Sequence, residues 1–406
     1  MITEPAFNSA KRARDHYRRL RRPLAPPKAD AQTESMSAGD WAVGPDDVAE
    51  AVKQLRAQLR DIVKSYLGGK PELYEIADRI AKEGTTGLAA YHSGDESQLM
   101  DPGNLAGLET IVRTDGTRPS FMIRNGVPDL ATSPAGDWAG AIEADDPDFL
   151  AALACVGRID DPSHPQGFRG TGTLIAPNLV LTNRHVAQAI AKQASDGAWT
   201  LKPDISIDFG HEFNARKTLD RRAVKSVVFA GKEPIDEMLI VHRKLDLALL
   251  ELDPLANGSP PPRCLKLDCT DALDADDKHV FLVGYPGQPS VGLAPPTLLE
   301  KLFESTFGCK RFAPGLVMAT SSDLPDNPRK WSLAHDATTL GGNSGSAVVI
   351  FGRHGASAGL HYGGQWSAPR ENWCHFFKPI LDQTDGHSST TLEEILAKWE
   401  VELRTK

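Results

Sequence analysis

The stretch Leu340-Gly341-Gly342-Asn343-Ser344-Gly345-Ser346-Ala347 decides how the chain is read. Glycine reaches backbone conformations closed to other residues, so a Ser wedged among glycines stands on a tight, exposed turn. Such a turn also aims backbone N–H groups, here those of Gly342 and Ser344, at one point beside the hydroxyl. That arrangement can hold a developing oxyanion. Taken alone, the same residues more often make an ordinary hairpin turn. Two other segments supply what a reactive Ser would need.

The first runs from Gly170 to Val186. Thr173–Ala176 and Leu179–Thr182 read as short strands around the turn Pro177-Asn178, and His185 follows directly. A lone His there is ordinarily a satisfied core or surface residue. The second segment is Lys244-Leu245-Asp246-Leu247-Ala248-Leu249-Leu250-Glu251-Leu252. Asp246 opens an apolar strand, where an unpaired carboxylate is costly to bury. It becomes tolerable by accepting a hydrogen bond from an imidazole N–H.

His185, Asp246 and Ser344, in that order, resemble the catalytic segments of the chymotrypsin-like serine peptidases. The resemblance covers about 150–383 and not the first third of the chain. It implies two six-stranded antiparallel barrels with the triad between them: His185 as general base, Asp246 as its orienting acid, Ser344 as nucleophile, Gly342 and Ser344 as oxyanion hole. Asp204, Asp208 and Asp236 are also available acids, but only Asp246 sits in the family's Asp-Leu-Ala-Leu segment. Thr182-Asn183-Arg184-His185-Val186, Thr338 to Ser346 and Gly359-Leu360-His361-Tyr362-Gly363-Gly364 are together similar to bacterial glutamyl endopeptidases. That likeness implies a pocket formed by Thr339, His361 and Gly363 and cleavage after Glu or Asp. Leu340 and Ala347 depart from it, since those enzymes favour a small polar residue and Pro there. Asn343 stands where digestive members carry an Asp that pairs with a newly cut N-terminus, so that activation route is not expected.

Composition sets outer limits. At 406 residues the chain has room for about two or three domains. A net charge of -9 argues against bulk nucleic-acid binding. No run is apolar and long enough for a membrane helix, and the first residues lack a signal-peptide core, so a cytoplasmic location is expected. Cys155, Cys264, Cys269, Cys309 and Cys374 are scattered and odd in number, which favours free thiols. Cys264 and Cys269 form no metal-ligand pattern with a nearby His, and no cofactor motif is present.

Residues 1–40 read as a flexible basic and Pro-rich arm, carrying Lys11 to Arg22. Residues 41–147 read as a small α+β regulatory or pro-segment region. It has helices at 46–67 and 71–82, the second stopped near Gly84, then strands at 108–113 and 119–124 with turns at 114–117 and Asn125-Gly126. The acidic stretch Glu143 to Asp148 is a candidate cut site for an activating protease. Residues 148–385 form the mostly β, chymotrypsin-like domain. Thr391 and Glu394 cap a helix within 386–406, expected to dock on the second barrel. The surroundings of 288–304 read as a loop. The expected partners are a protein or peptide substrate and a regulator acting on 1–147. The competing reading is a protease-fold scaffold that acts by binding alone.

Overall fold

The computed structural model describes residues 146–406 except 214–220, 237–238, 256–263, 290–295 and 365–370. Upstream it describes 70–93, 95–99, 118–133 and scattered single positions. The expected basic arm, the strand at 108–113 and its turn lie outside the described residues, as does most of the helix at 46–67.

Six antiparallel strands close the first barrel in the order Ala248–Leu252, Leu179–Thr182, Phe168–Ala176, Val156–Asp160, Ser206–Asp208 and Arg221–Ala230, the last pairing back on the first. Alternation sets the two faces. Val180, Ala248 and Leu250 point into the interior cluster, while Leu179, Leu181 and Leu249 point outward. These strands read as unbroken apolar runs because the outward face is covered as well. Leu392 and Leu396 of the helix Leu392–Lys398 lie in that outer cluster with Leu179, Leu181 and Phe229. The C-terminal helix therefore packs in a cluster that also holds Leu360 and Trp331 of the second half, so it meets the first barrel as well as the second. Its capping box is the anticipated one: Thr391 Oγ1 accepts from the Glu394 N–H and the Glu394 carboxylate accepts from the Thr391 N–H.

The second barrel closes through His279–Gly284, Ala347–Ile350, Gly359–Gly364, Asn372–Phe376, Ser332–His335 and Arg311–Ala319, which returns to His279–Gly284. Onto Arg311–Ala319 a further hairpin is added, Phe121–Arg124 with Val127–Asp129. Its turn is Asn125-Gly126, at φ of 52° and 82°, the left-handed pair that a two-residue hairpin requires. Phe121, Ile123 and Trp138 are fully buried in the core shared with Phe149 and Phe312. The boundary drawn near 147 thus separates segments that pack as one.

Two further differences from the sequence reading have simple causes. The helix beginning at Pro71 does not stop near Gly84 but runs to Ser93. Ala77, Ala81, Gly84, Gly87 and Ala90 make one buried stripe along it. A helical glycine costs only about 1 kcal/mol relative to Ala, which a packed face readily offsets. Within the presumed loop at 288–304, Pro296–Phe303 is a helix. Its Leu302 and Phe303 enclose Leu340, which accounts for an apolar residue at that position.

Candidate active site

The strand Leu179–Thr182 ends at Asn183, and the helix Arg184–Ile190 starts there. His185 lies in its first turn. Asp246 lies two residues before the strand Ala248–Leu252, which pairs with Leu179–Thr182, so the two residues meet across one sheet edge. One carboxylate oxygen of Asp246 accepts the His185 backbone N–H at 2.9 Å, and the other accepts from Nδ1 at 2.6 Å. The carboxylate therefore fixes both the position of the ring and its tautomer, with the proton on Nδ1 and Nε2 as the basic nitrogen. Asp246 is buried. Burial alone would raise its pKa, but the charge and hydrogen bonds of His185 hold it below the usual carboxylate range.

The backbone of Asp246 is held just as closely. Its carbonyl accepts from the Asn183 side chain at 2.7 Å. Its N–H donates to Nε2 of His375 at 3.0 Å, and Nδ1 of His375 faces the Ser332 hydroxyl at 3.0 Å. An imidazole accepting at Nε2 must carry its proton on Nδ1. Burial pushes the His375 pKa down to about 4, so the ring is neutral.

Ser344 sits on the turn that the glycines permit. Gly342 and Gly345 have φ of 95° and 92°, and a Cβ on Gly345 would lie 1.9 Å from the Thr171 carbonyl oxygen. The close approach has a purpose. The Thr171 N–H donates to the Ser344 carbonyl at 2.8 Å and the Thr171 hydroxyl to the Gly342 carbonyl at 2.8 Å. The first barrel thereby grips the turn that leaves the second. His185, Asp246, Gly342 and Ser344 all line one cavity of about 780 Å³.

Thr339, His361, Gly363 and Asn372 line the same cavity. The Thr339 hydroxyl donates to the Asn372 side-chain oxygen at 2.6 Å, and the Asn372 amide donates to the Ala337 carbonyl at 2.7 Å. His361 and His335 share a hydrogen bond of 3.1 Å between Nδ1 and Nε2. Burial holds both imidazoles neutral at pH 7: His361 well below its ordinary value, His335 at about 4. Leu239 and Ile240 add an exposed apolar edge to the same cavity.

Among the described residues no cluster of three or more His, Cys, Asp or Glu is placed to hold a metal ion, and no helix is long and apolar enough to cross a membrane. None of the five cysteines is in a disulfide. Burial pushes the Cys155 and Cys269 thiols up to about 12, which makes both poor nucleophiles.

Residues 170–355 match the model of the trypsin-like peptidase domain. A protein of Lysobacter enzymogenes named as a probable serine protease is 31% identical over 360 residues, spanning 82% of this chain and 88% of its own. The chain belongs to the trypsin-like serine peptidase family. The share aligned with the Lysobacter protein exceeds the two barrels and so takes in part of the upstream region. Among solved structures, human heparin binding protein is 16% identical over 57% of this chain and 90% of its own, with a TM-score of 0.39. A Glu endopeptidase in complex with MPD is 18% identical over 61% and 91%, with a TM-score of 0.38.

His335, Asn372 and His375 went unseen in the sequence. They lie on Ser332–His335 and Asn372–Phe376, whose residues are all buried. Without an exposed face there is no alternation to mark a strand. The available signal was the spacing of His335 nine residues before Ser344, in the same stretch as Thr339.

Proposed function

We propose that the chain is a serine endopeptidase that cleaves on the carboxyl side of Glu or Asp. The observation that carries this reading is the two-point grip of Asp246 on His185 in the cavity that Ser344 also lines. In this reading Ser344 Oγ attacks the scissile carbonyl carbon while Nε2 of His185 takes the hydroxyl proton. The carbonyl π bond opens, and the resulting oxyanion is met by the N–H groups of Gly342 and Ser344. Asp246 stabilises the imidazolium electrostatically without taking its proton. Collapse breaks the C–N bond, His185 protonates the leaving amine, and water hydrolyses the acyl-enzyme by the same steps in reverse.

Acidic preference draws support from what faces the cavity. Thr339 brings a hydroxyl and His361 a neutral imidazole backed by His335, while Gly363 leaves room. A substrate carboxylate beside His361 favours the protonated ring, so the bound acid supplies its own counter-charge. Control by the N-terminal region is part of the proposal, assigned to residues before Arg118.

The test is hydrolysis of peptides that differ only in the residue before the scissile bond. Glu is expected to exceed Gln, Lys and Phe in kcat/KM by about tenfold or more, with all turnover lost in Ser344→Ala. Turnover of Gln and Glu peptides at equal rates would remove the acidic preference. Turnover that survives Ser344→Ala would remove the mechanism.

A further inference from the structure

The chain just upstream of the barrels adds a hairpin to the second barrel's sheet, and its head holds the stretch that leads to the specificity pocket. Phe121 and Met122 pair with Phe312 and Arg311, and the Ser120 carbonyl accepts from the Arg311 guanidinium. Two residues earlier stands Arg118, fully buried. Its guanidinium donates to one carboxylate oxygen of Asp336 at 2.5 Å, and the other oxygen of Asp336 accepts the Leu316 N–H at 2.8 Å. The Arg118 carbonyl accepts from the Thr338 hydroxyl at 2.8 Å. A single upstream residue thus holds positions 336 and 338 of the stretch that leads to Ser344.

Their neighbours carry the pocket. His335 contacts His361, the Ala337 carbonyl holds Asn372, and Thr339 holds the other end of the same amide. A fully buried ion pair gives little net stability, because desolvating both groups offsets their attraction, yet removing one partner strands a charge. Its effect is to favour one arrangement over others, and the arrangement fixed here is the pocket wall.

We propose that Arg118 is a positioning residue of the specificity pocket, clamping Asp336 and Thr338 so that a cation from within the chain builds the pocket wall. The proposal deepens the peptidase reading and rests on it. It also changes the meaning of the acidic stretch at 143–148. A cut there leaves the 118–133 segment held by strand pairing and the ion pair, so it cannot act by releasing that segment.

The test compares full-length wild type with Arg118→Gln, Arg118→Lys and the neutral pair Arg118→Gln/Asp336→Asn. A small alkyl fluorophosphonate reads the reactivity of Ser344 with little use of the pocket. Peptide p-nitroanilides, with the residue that wild type prefers before the scissile bond, read the pocket. Arg118→Gln is expected to label within about threefold of wild type while losing about tenfold or more in kcat/KM, chiefly through KM. Arg118→Lys should recover much of the loss. A folded Arg118→Gln with kcat/KM within about threefold of wild type overturns the proposal. So does an equal loss of labelling and of turnover, which marks a merely structural role. If Arg118→Gln does not fold, the neutral pair, which strands no carboxylate, is held to the same two criteria.

A second measurement does not depend on these variants. A protease site is placed at 143–145 of the full chain and cut. A fragment that stays bound while turnover is retained supports the proposal, and a fragment that leaves while turnover persists overturns it. Wild type that neither labels nor cleaves, both whole and after removal of the residues before Arg118, sinks the peptidase reading itself, and the inference with it.

Discussion

The backbone N–H of Asp246 donates to Nε2 of His375, so the acid on the first barrel is held by a strand of the second. Domain-to-domain registry is thereby tied to the residue that orients His185. His375 sits against the Ser332 hydroxyl on one side and stacks on Tyr362 at 4.3 Å between ring centres on the other. Replacing it by Leu removes the acceptor and leaves a buried N–H unsatisfied. We expect kcat to fall by about tenfold with KM little changed, and His375→Asn to recover part of the loss. Steady-state kinetics on the folded variants check this.

Asp246→Asn leaves the shape of the site but not its chemistry. The amide cannot hold Nδ1–H of His185 as the carboxylate does, and the wrong tautomer is favoured. The expected loss in kcat is about ten-thousand-fold near neutral pH, measured with a peptide substrate.

Buried neutral histidines make the fold acid-sensitive with a definite sign. His335 and His375 titrate at about 4 in the folded chain, against an ordinary value of 6.5. Between these values the unfolded chain binds more protons, so stability rises with pH there. Their contribution is complete above about 6.5 and is lost progressively down to about 4. Asp161 adds a second window. Burial would raise it, but Ser163, Arg169 and Lys202 hold it at about 2, so its contribution is present above about 4 and lost toward 2. Urea unfolding across pH should show both slopes, and His375→Asn should flatten the upper one.

Gly345 admits no side chain. Its φ is in the left-handed region, and a Cβ would collide with the Thr171 carbonyl, whose own N–H holds Ser344. Gly345→Ala is expected to cost about 2 kcal/mol or more and to abolish labelling of Ser344. Thermal unfolding and intact mass together check it.

Much of this was legible in the residues. The glycines around Ser344, the strand pair before His185 and the acid opening an apolar strand are local signals, and local chemistry fixes them. The remainder depends on tertiary packing. Gly84 reads as a helix stop until the buried stripe through Ala81 and Ala90 is seen. The C-terminal helix shows an apolar face but not its destination, because Leu179, Leu181 and Leu249 reveal an outward apolar surface only once the barrel is closed. His375 reaches Asp246 from 129 residues away, a separation that no periodicity spans. Arg118 lies between the turn read at 114–117 and the strand read at 119–124, and nothing local marks it until Asp336 is found beside it.

The central claim is that His185, Asp246 and Ser344 act as one catalytic unit in the intact chain. Intact-mass detection of a fluorophosphonate adduct on the full-length protein tests it most directly, with Ser344→Ala as control. The account predicts one adduct per chain on wild type and none on the variant. A wild-type protein that stays unlabelled, both whole and after removal of the residues before Arg118, would contradict it.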